Sequence, residues 1–400
     1  MIFPLLLSSI ALVIDTMSGE AVLEKSSSDT MSPASCMKIV TTGAALGMLG
    51  RNYRFETKLM HDGLVKDGIL QGNLYIVGSG DPTLGDARYS GWKKQISDWQ
   101  KALADFGIQK ISGKVIGDAS LWDENLIEPS WLVEDIGNYY GAGACALNFH
   151  CNSYTLTFRP GKNIGEITSI VETDPPNLGF TLENLVTTGP VNSGDQACIY
   201  SHDMTVRGTI PAGVTTFSIR GALRDPANTC AMLLSRAVDA QEKPFPTSDR
   251  KLIHTHHSPP LYEIVKTTNQ KSDNIYAEAL FKACGKSTSI TNYWKSMGID
   301  TTSCIIADGS GLSLKNSLTP KALVAMLQTL RSNQDFVASL QTRKEGIQAK
   351  TGSSSTQACL AGYYNGKTFA IFTQNSGMKL TDLDTFITTL NRTPCLRALK

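Results

Sequence analysis

The sequence predicts an α+β protein: one discontinuous domain made from both ends of the chain, interrupted by a β-rich insertion. Three observations carry this. Both ends mix helical apolar spacing with short strand-like runs. The middle, from about residue 53 to 230, alternates strand-like pieces with Gly/Pro/Asp turns. Near the C-terminal end, Asn365-Gly366 sits between two strand-like runs, the strongest short hairpin signal there is.

The elements follow in chain order. Residues 11–15 are a continuous apolar run and read as a buried strand; Ser18-Gly19 marks a turn, and residues 21–24 read as its hairpin partner. Pro33 opens, and Gly50 closes, a helical pattern over residues 35–49. In the middle, residues 74–77 and 154–158 read as strands, and residues 91–106 are the one good helix. Helical spacing returns at residues 273–284 and again at 320–332, where Thr319-Pro320 has the form of an N-cap followed by a first-turn proline. Residues 348–350, 360–364 and 368–373 read as strands, and residues 381–390 as a closing helix. The apolar Met1–Leu7 segment fits the tail of an export signal, but it lacks a basic leader, and a first core strand is the preferred reading.

Composition narrows the function classes. The chain has 400 residues, 41% hydrophobic and 18% charged, which is enough to bury a substantial core. A net charge of +1, without any Lys/Arg run, argues against nucleic acid as a partner. The nine cysteines are scattered without a C-x-x-C pair, which argues against a zinc ribbon or a redox dithiol. Export would allow one or two disulfides, whose pairing the spacing leaves open.

Three short strings bear chemistry: Ser35-Cys36-Met37-Lys38 at a helix start, Ser272-Asp273-Asn274 before a helix, and Lys350-Thr351-Gly352 leaving a strand. Residues three apart on a helix share a face, so Lys38 reaches the Ser35 hydroxyl. A serine hydroxyl is a poor nucleophile until a base takes its proton, and a desolvated lysine serves as that base near neutral pH. Ser35 lies in the first helical turn, where backbone N–H groups lack intrahelical partners, so its N–H suits an oxyanion; Ser353 is expected to supply the second donor. Lys350 and Thr351 suit a substrate carboxylate. Ser272 is placed to relay a proton between Lys38 and a leaving amine, and Asn274 to orient Lys38 or hold a substrate amide. Alone, each string reads as well as a helix cap, a solvated lysine or a turn; their order and their fit to the predicted elements favour catalysis.

These strings, with Gly78-Ser79-Gly80-Asp81-Pro82-Thr83-Leu84, Gly117-Asp118-Ala119-Ser120, Tyr276-Ala277-Glu278 and Asp308-Gly309-Ser310-Gly311-Leu312-Ser313, make the chain resemble the class C low-molecular-mass penicillin-binding proteins over nearly all its length. The resemblance implies a penicillin-binding/β-lactamase-like transpeptidase domain, an antiparallel sheet covered by helices, over residues 1–55 and 255–400. It also implies an accessory domain over residues 56–145 and 223–254, with a second β-rich domain, residues 146–222, nested in it. The implied activity is a serine-type D-Ala-D-Ala carboxypeptidase/endopeptidase acting through an acyl-enzyme at Ser35. The implied partners are peptidoglycan stem peptides and, as covalent inhibitors, β-lactam antibiotics. No metal or cofactor is implied, and the location is periplasmic or otherwise outside the plasma membrane. Peripheral membrane association and oligomeric state stay open. Asp118 falls where the family places an acid facing a substrate side-chain amine; a turn-capping aspartate is the competing reading. Cys36 beside the nucleophile and Ser353 after Lys350-Thr351-Gly352 depart mildly from the family pattern.

Two alternatives are set against this. A β-lactamase-like hydrolase would have a much shorter gap between Ser35 and Ser272; a non-catalytic peptidoglycan-binding or penicillin-sensing module would not need all three strings. His254, His256 and His257 are read as a loop before Ser258-Pro259-Pro260, not as metal ligands, since no acidic or Cys partner is spaced nearby.

Overall fold

The computed structural model describes residues 9–123 and 125–392; the reading of Met1–Leu7 lies outside them. The chain divides into two compact units, one formed by the chain up to Tyr53 and from Pro260 onward, the other by Arg54–Pro259.

The first unit is built on a six-stranded antiparallel sheet. Its order is Gln341–Thr342, Gln348–Ser353, Gln357–Tyr364, Lys367–Gln374, Ser9–Asp15, Ala21–Lys25. The first strand therefore lies inside the sheet, beside the last hairpin. Residues 10–14 are all buried, so both faces of that strand are covered, which is why it reads as a continuous apolar run. Asn365 and Gly366 both take positive φ, as a two-residue hairpin turn of this hand requires. Ala11, Val13, Leu360, Phe369 and Ile371 form one core with Leu383, Phe386, Ile387 and Leu390 of the closing helix Leu380–Arg392.

The helix Met37–Leu49 is buried on every side over its first ten residues, 37–46. An all-round apolar helix belongs in the interior, and it carries Lys38 in with it. Around it stand the helices Leu261–Lys271, Asn274–Ala283, Lys286–Ser296 and Pro320–Leu330. Thr319 caps the last of these through its side chain, accepting from the Ala322 N–H at 3.0 Å.

Among the described residues the second unit holds four sheets, one of them the small sheet Leu64–Lys66, Ile69–Gln71, Lys110–Ile111. Another is four-stranded, in the order Lys251–His257, Glu56–His61, Leu74–Val77, Val115–Asp118, with its last pair parallel. Two three-stranded sheets, Ser169–Asp174 with Ser153–Arg159 and Phe217–Ala222, and Glu183–Gly189 with Thr205–Pro211 and Cys198–Tyr200, share a core of Tyr154, Leu156, Phe158, Val186, Val206 and Ile219. Two expectations are corrected here. The middle region carries a second long helix, Pro226–Ala237, started by Asp225, whose side chain accepts from Asn228 N–H at 2.9 Å. His254, His256 and His257 lie on a strand, not a loop, because Lys251–His257 pairs antiparallel with Glu56–His61.

Candidate active site

Within the first unit three stretches of chain meet. Ser35 sits in a short 3-10 turn, Ala34–Cys36, immediately before the Met37–Leu49 helix. Ala34 is held at φ +46, sparsely populated for a residue with a Cβ. Ser272 caps the Leu261–Lys271 helix in the left-handed region, φ +54, and Asn274 begins the next helix. Lys350, Thr351, Gly352 and Ser353 end the strand Gln348–Ser353. A Cβ on Gly352 would lie 2.5 Å from the Pro33 carbonyl oxygen and 3.0 Å from the Ser35 nitrogen. Only glycine lets this strand lie so close to the serine turn.

The Lys38 ammonium donates to Ser35 Oγ at 3.0 Å, to Asn274 Oδ1 at 2.7 Å and to the Ser310 carbonyl at 2.7 Å. Lys350 Nζ donates to Ser272 Oγ at 2.8 Å and to the Thr351 carbonyl at 2.7 Å. Both lysines are fully buried. Burial is the main force pulling the Lys38 pKa down, to about 8, against the opposing pull of Asp308, Glu278 and Asp273. Burial also pulls Lys350 down, and the neighbouring Lys38 charge adds to it. The arrangement is a hydroxyl held by an amine that sheds its proton near neutral pH. Cys36 is no rival nucleophile. Its thiol is buried, donates to the Lys350 carbonyl at 3.3 Å, and is pushed up to about 12 by desolvation.

The sequence strings thus fall into two linked groups, Ser35–Lys38–Asn274 and Ser272–Lys350. Two details differ from expectation. The hydrogen bond to Ser272 comes from Lys350, whose side chain is fully buried. Ser310, whose carbonyl completes the Lys38 shell, was not assigned a role: a backbone oxygen leaves no residue-type signal, and only the turn-rich string around it marks the place.

Comparison with known proteins decides the family. The D-Ala-D-Ala carboxypeptidase 3 (S13) family matches residues 4–386. The chain belongs to the D-Ala-D-Ala carboxypeptidase 3 (S13) family. This makes it a serine-type D-Ala-D-Ala carboxypeptidase, a hydrolase. A D-alanyl-D-alanine carboxypeptidase of Actinomadura sp. (strain R39) is 26% identical, over 88% of this chain and 74% of that protein. The D-alanyl-D-alanine carboxypeptidase DacB of Haemophilus influenzae is 25% identical, over 81% of this chain and 71% of its own. In fold, the chain is similar to the crystal structure of penicillin binding protein 4 from Haemophilus influenzae, with a TM-score of 0.81 at 23% identity, covering 98% of this chain and 97% of that one.

Asp118, by contrast, belongs to the second unit of this S13 chain. Its carboxylate accepts from Ser120 N–H at 2.9 Å, the turn-capping geometry, and pairs with Arg250 Nη1. It lines a cavity of about 610 Å³ with Trp122, Asp123, Arg224 and Arg250. Among the described residues no cluster of His, Cys, Asp or Glu is grouped to hold a metal, and no helix is long and apolar enough to cross a membrane.

Proposed function

We propose that this enzyme cleaves peptidoglycan stem peptides through an acyl-enzyme at Ser35, with Lys38 as the base. The observation that carries the reading is the 3.0 Å contact between Lys38 Nζ and Ser35 Oγ, in a pocket that depresses the lysine pKa to about 8. Neutral Lys38 takes the hydroxyl proton as Oγ bonds to the penultimate D-Ala carbonyl carbon. The oxyanion lies between the N–H groups of Ser35 and Ser353. The C–N bond then breaks, and the proton held by Lys38 passes through Ser272, whose hydroxyl oxygen is held by Lys350, to the leaving amine, which returns Lys38 to its neutral form. Water, deprotonated by Lys38, then cleaves the ester and frees Ser35. Asn274 holds Lys38 in place, while Thr351, Gly352 and the Lys350 charge receive the substrate carboxylate. β-Lactams present a strained amide to the same serine and stay attached to it.

The finer assignments rest on the same reading. Endopeptidase cleavage of cross-links is the same reaction with a longer leaving amine. The substrate lies outside the plasma membrane, which puts the enzyme in the periplasm or its equivalent. Asp118 is kept as a contact for a substrate side-chain amine, which would compete with Arg250 for its carboxylate. In the second unit, the division into an accessory domain and a nested domain is supported by two separate cores, one around Trp99, Leu103 and Leu234 and one around Tyr154, Phe158 and Val206.

The test is covalent labelling. A fluorescent penicillin should mark the folded wild type and not Ser35→Ala. A folded wild type that stays unmarked would remove Ser35 as nucleophile. Purified muropeptides, followed by mass, then show whether D-Ala leaves or dimers split.

A further inference from the structure

Behind Lys38 runs a loop whose fold depends on two buried carboxyl groups that the reaction scheme above does not use. Asp308 is 0% exposed and Glu278 4%. Asp308 Oδ1 accepts from Gly311 N–H and from Asn316 Nδ2, both at 2.7 Å, and Oδ2 accepts from Ser313 N–H at 2.6 Å. Glu278, on the Asn274–Ala283 helix, accepts from Gly309 N–H at 3.1 Å and Ser310 N–H at 2.8 Å through one oxygen, Oε1. With its N–H groups fixed from that side, the loop turns its carbonyls the other way. The Gly309 carbonyl accepts from Thr41 Oγ1 at 2.8 Å, and the Ser310 carbonyl accepts from Lys38 Nζ at 2.7 Å. Both acceptors thus grip the helix that carries the base.

We propose that Glu278 and Asp308 are positioning residues for the base: together they fold residues 308–313 so that the Ser310 carbonyl holds Lys38 Nζ against Ser35 Oγ. The inference rests on Lys38 acting as the base. The peptide dipole of Ser310 fixes one of the three directions in which the amine bonds, and Asn274 fixes another. What remains is aimed at the nucleophile. Misplacing a reacting group by about 1 Å costs about 10²-fold in rate.

The two carboxyl groups contribute differently. Burial first, and the charge of Asp308 second, push Glu278 up to about 8. Its single oxygen Oε1 accepts both N–H bonds, and the amide oxygen of glutamine can do the same. Asp308 is the strongest charge opposing the loss of the Lys38 proton, ahead of Glu278 and Asp273; the buried Cys36 thiol acts in the same direction, and Lys350 is the neighbouring cation. Removing the Asp308 charge lowers the Lys38 pKa, so the acid limb of the acylation rate against pH should move to lower pH.

The experiment measures penicillin acylation against pH in the full-length chain, with folding checked by circular dichroism. Glu278→Ala should acylate about 10²-fold more slowly than the wild type, and Glu278→Gln should recover most of that loss. Asp308→Asn, whose single amide oxygen cannot accept from Gly311, Asn316 and Ser313 together, should also slow acylation, and loss of its charge should shift the acid limb down by about one pH unit, a movement that a merely structural role would not produce. A folded Glu278→Ala or a folded Asp308→Asn that acylates at the wild-type rate overturns the proposal. If Glu278→Ala does not fold, the acylation rate of Asp308→Asn at its own optimum pH decides. A wild type that is not acylated at Ser35 defeats the reading of the reaction instead, so the two failures are told apart.

Discussion

Two Gly- and Ser-rich strings in this chain fold around a buried aspartate, and they end differently. In Asp308-Gly309-Ser310-Gly311-Leu312-Ser313 both carboxylate oxygens are taken up by backbone and Asn316 donors. In Gly78-Ser79-Gly80-Asp81-Pro82-Thr83 only Oδ1 is used, by Thr83 N–H at 2.8 Å and Thr83 Oγ1 at 2.6 Å. Asp81 Oδ2 is buried without a hydrogen-bond partner, and His256 Nε2 stands 3.8 Å away. Burial pushes Asp81 up to about 6, and it also lowers His256. Both aspartates make a turn. The fully engaged one lies in a loop whose Ser310 carbonyl accepts from Lys38, while in the other loop the Gly80 carbonyl accepts from the neutral Asn148 side chain.

The sharpest test of this contrast removes the cation and its target. Ser35→Ala should abolish penicillin labelling, and Lys38→Ala should slow it by ~10²–10⁴-fold, both measured on folded protein. A Lys38→Ala variant acylating at the wild-type rate would leave the 308–313 loop with nothing to position. Next come the glycines. Gly311 lies at φ +85, and a Cβ there would stand 1.9 Å from the carbonyl oxygen of Ala34, the residue before Ser35. Gly80 lies at φ +104, and its Cβ would strike the Trp122 ring at 2.2 Å. Alanine at either site should cost more than about 1 kcal/mol of stability from the backbone alone. Gly311→Ala should also cut acylation steeply, while Gly80→Ala should leave it within a few-fold. Urea melts paired with labelling rates check both, and equal losses of labelling would erase the contrast.

Smaller effects appear in stability against pH. The folded pKa of Glu278, about 8, lies above the ordinary 4.5, so the folded state binds the extra proton between those values and stability falls as pH rises through that window. Glu278→Gln should flatten the slope between about pH 4.5 and 8 in urea midpoints. The depressed Lys38 acts the other way, adding stability as pH climbs from about 8 toward 10.5, so the two windows separate. Asp81→Asn should remove a shallower slope of the same sign as that of Glu278, between 3.8 and about 6. An unchanged slope in either variant would mean that its carboxyl is not held protonated.

Much of this site can be read from the chain because its parts are side chains at element ends. Ser35 and Lys38 lie three apart at a helix start, Ser272 and Asn274 flank a helix boundary, and Lys350 ends a strand, each where its string predicts. The hairpin at Asn365-Gly366 was equally legible, since both turn residues tolerate positive φ. What escaped was carried by context. The Ser310 carbonyl belongs to the backbone. Lys350 looks like a cleft cation until tertiary packing turns it toward Ser272. His254, His256 and His257 form a strand because Glu56–His61 pairs with them, not because histidine favours strands. The helix Pro226–Ala237 did carry an Asp-Pro start signal, masked by the β texture around it.

The sheet order has a consequence for biogenesis. The strand Ser9–Asp15 emerges early yet pairs with Lys367–Gln374, whereas residues 54–259 are contiguous and can fold while the chain is still emerging. A polypeptide arrested before Gln348 holds Ser35 but lacks Lys350 with its own strand and the two strands, Gln357–Tyr364 and Lys367–Gln374, that join it to Ser9–Asp15. Reactivity toward penicillin should therefore arise in a single late step, once the final hairpin is available, and not grow gradually with chain length.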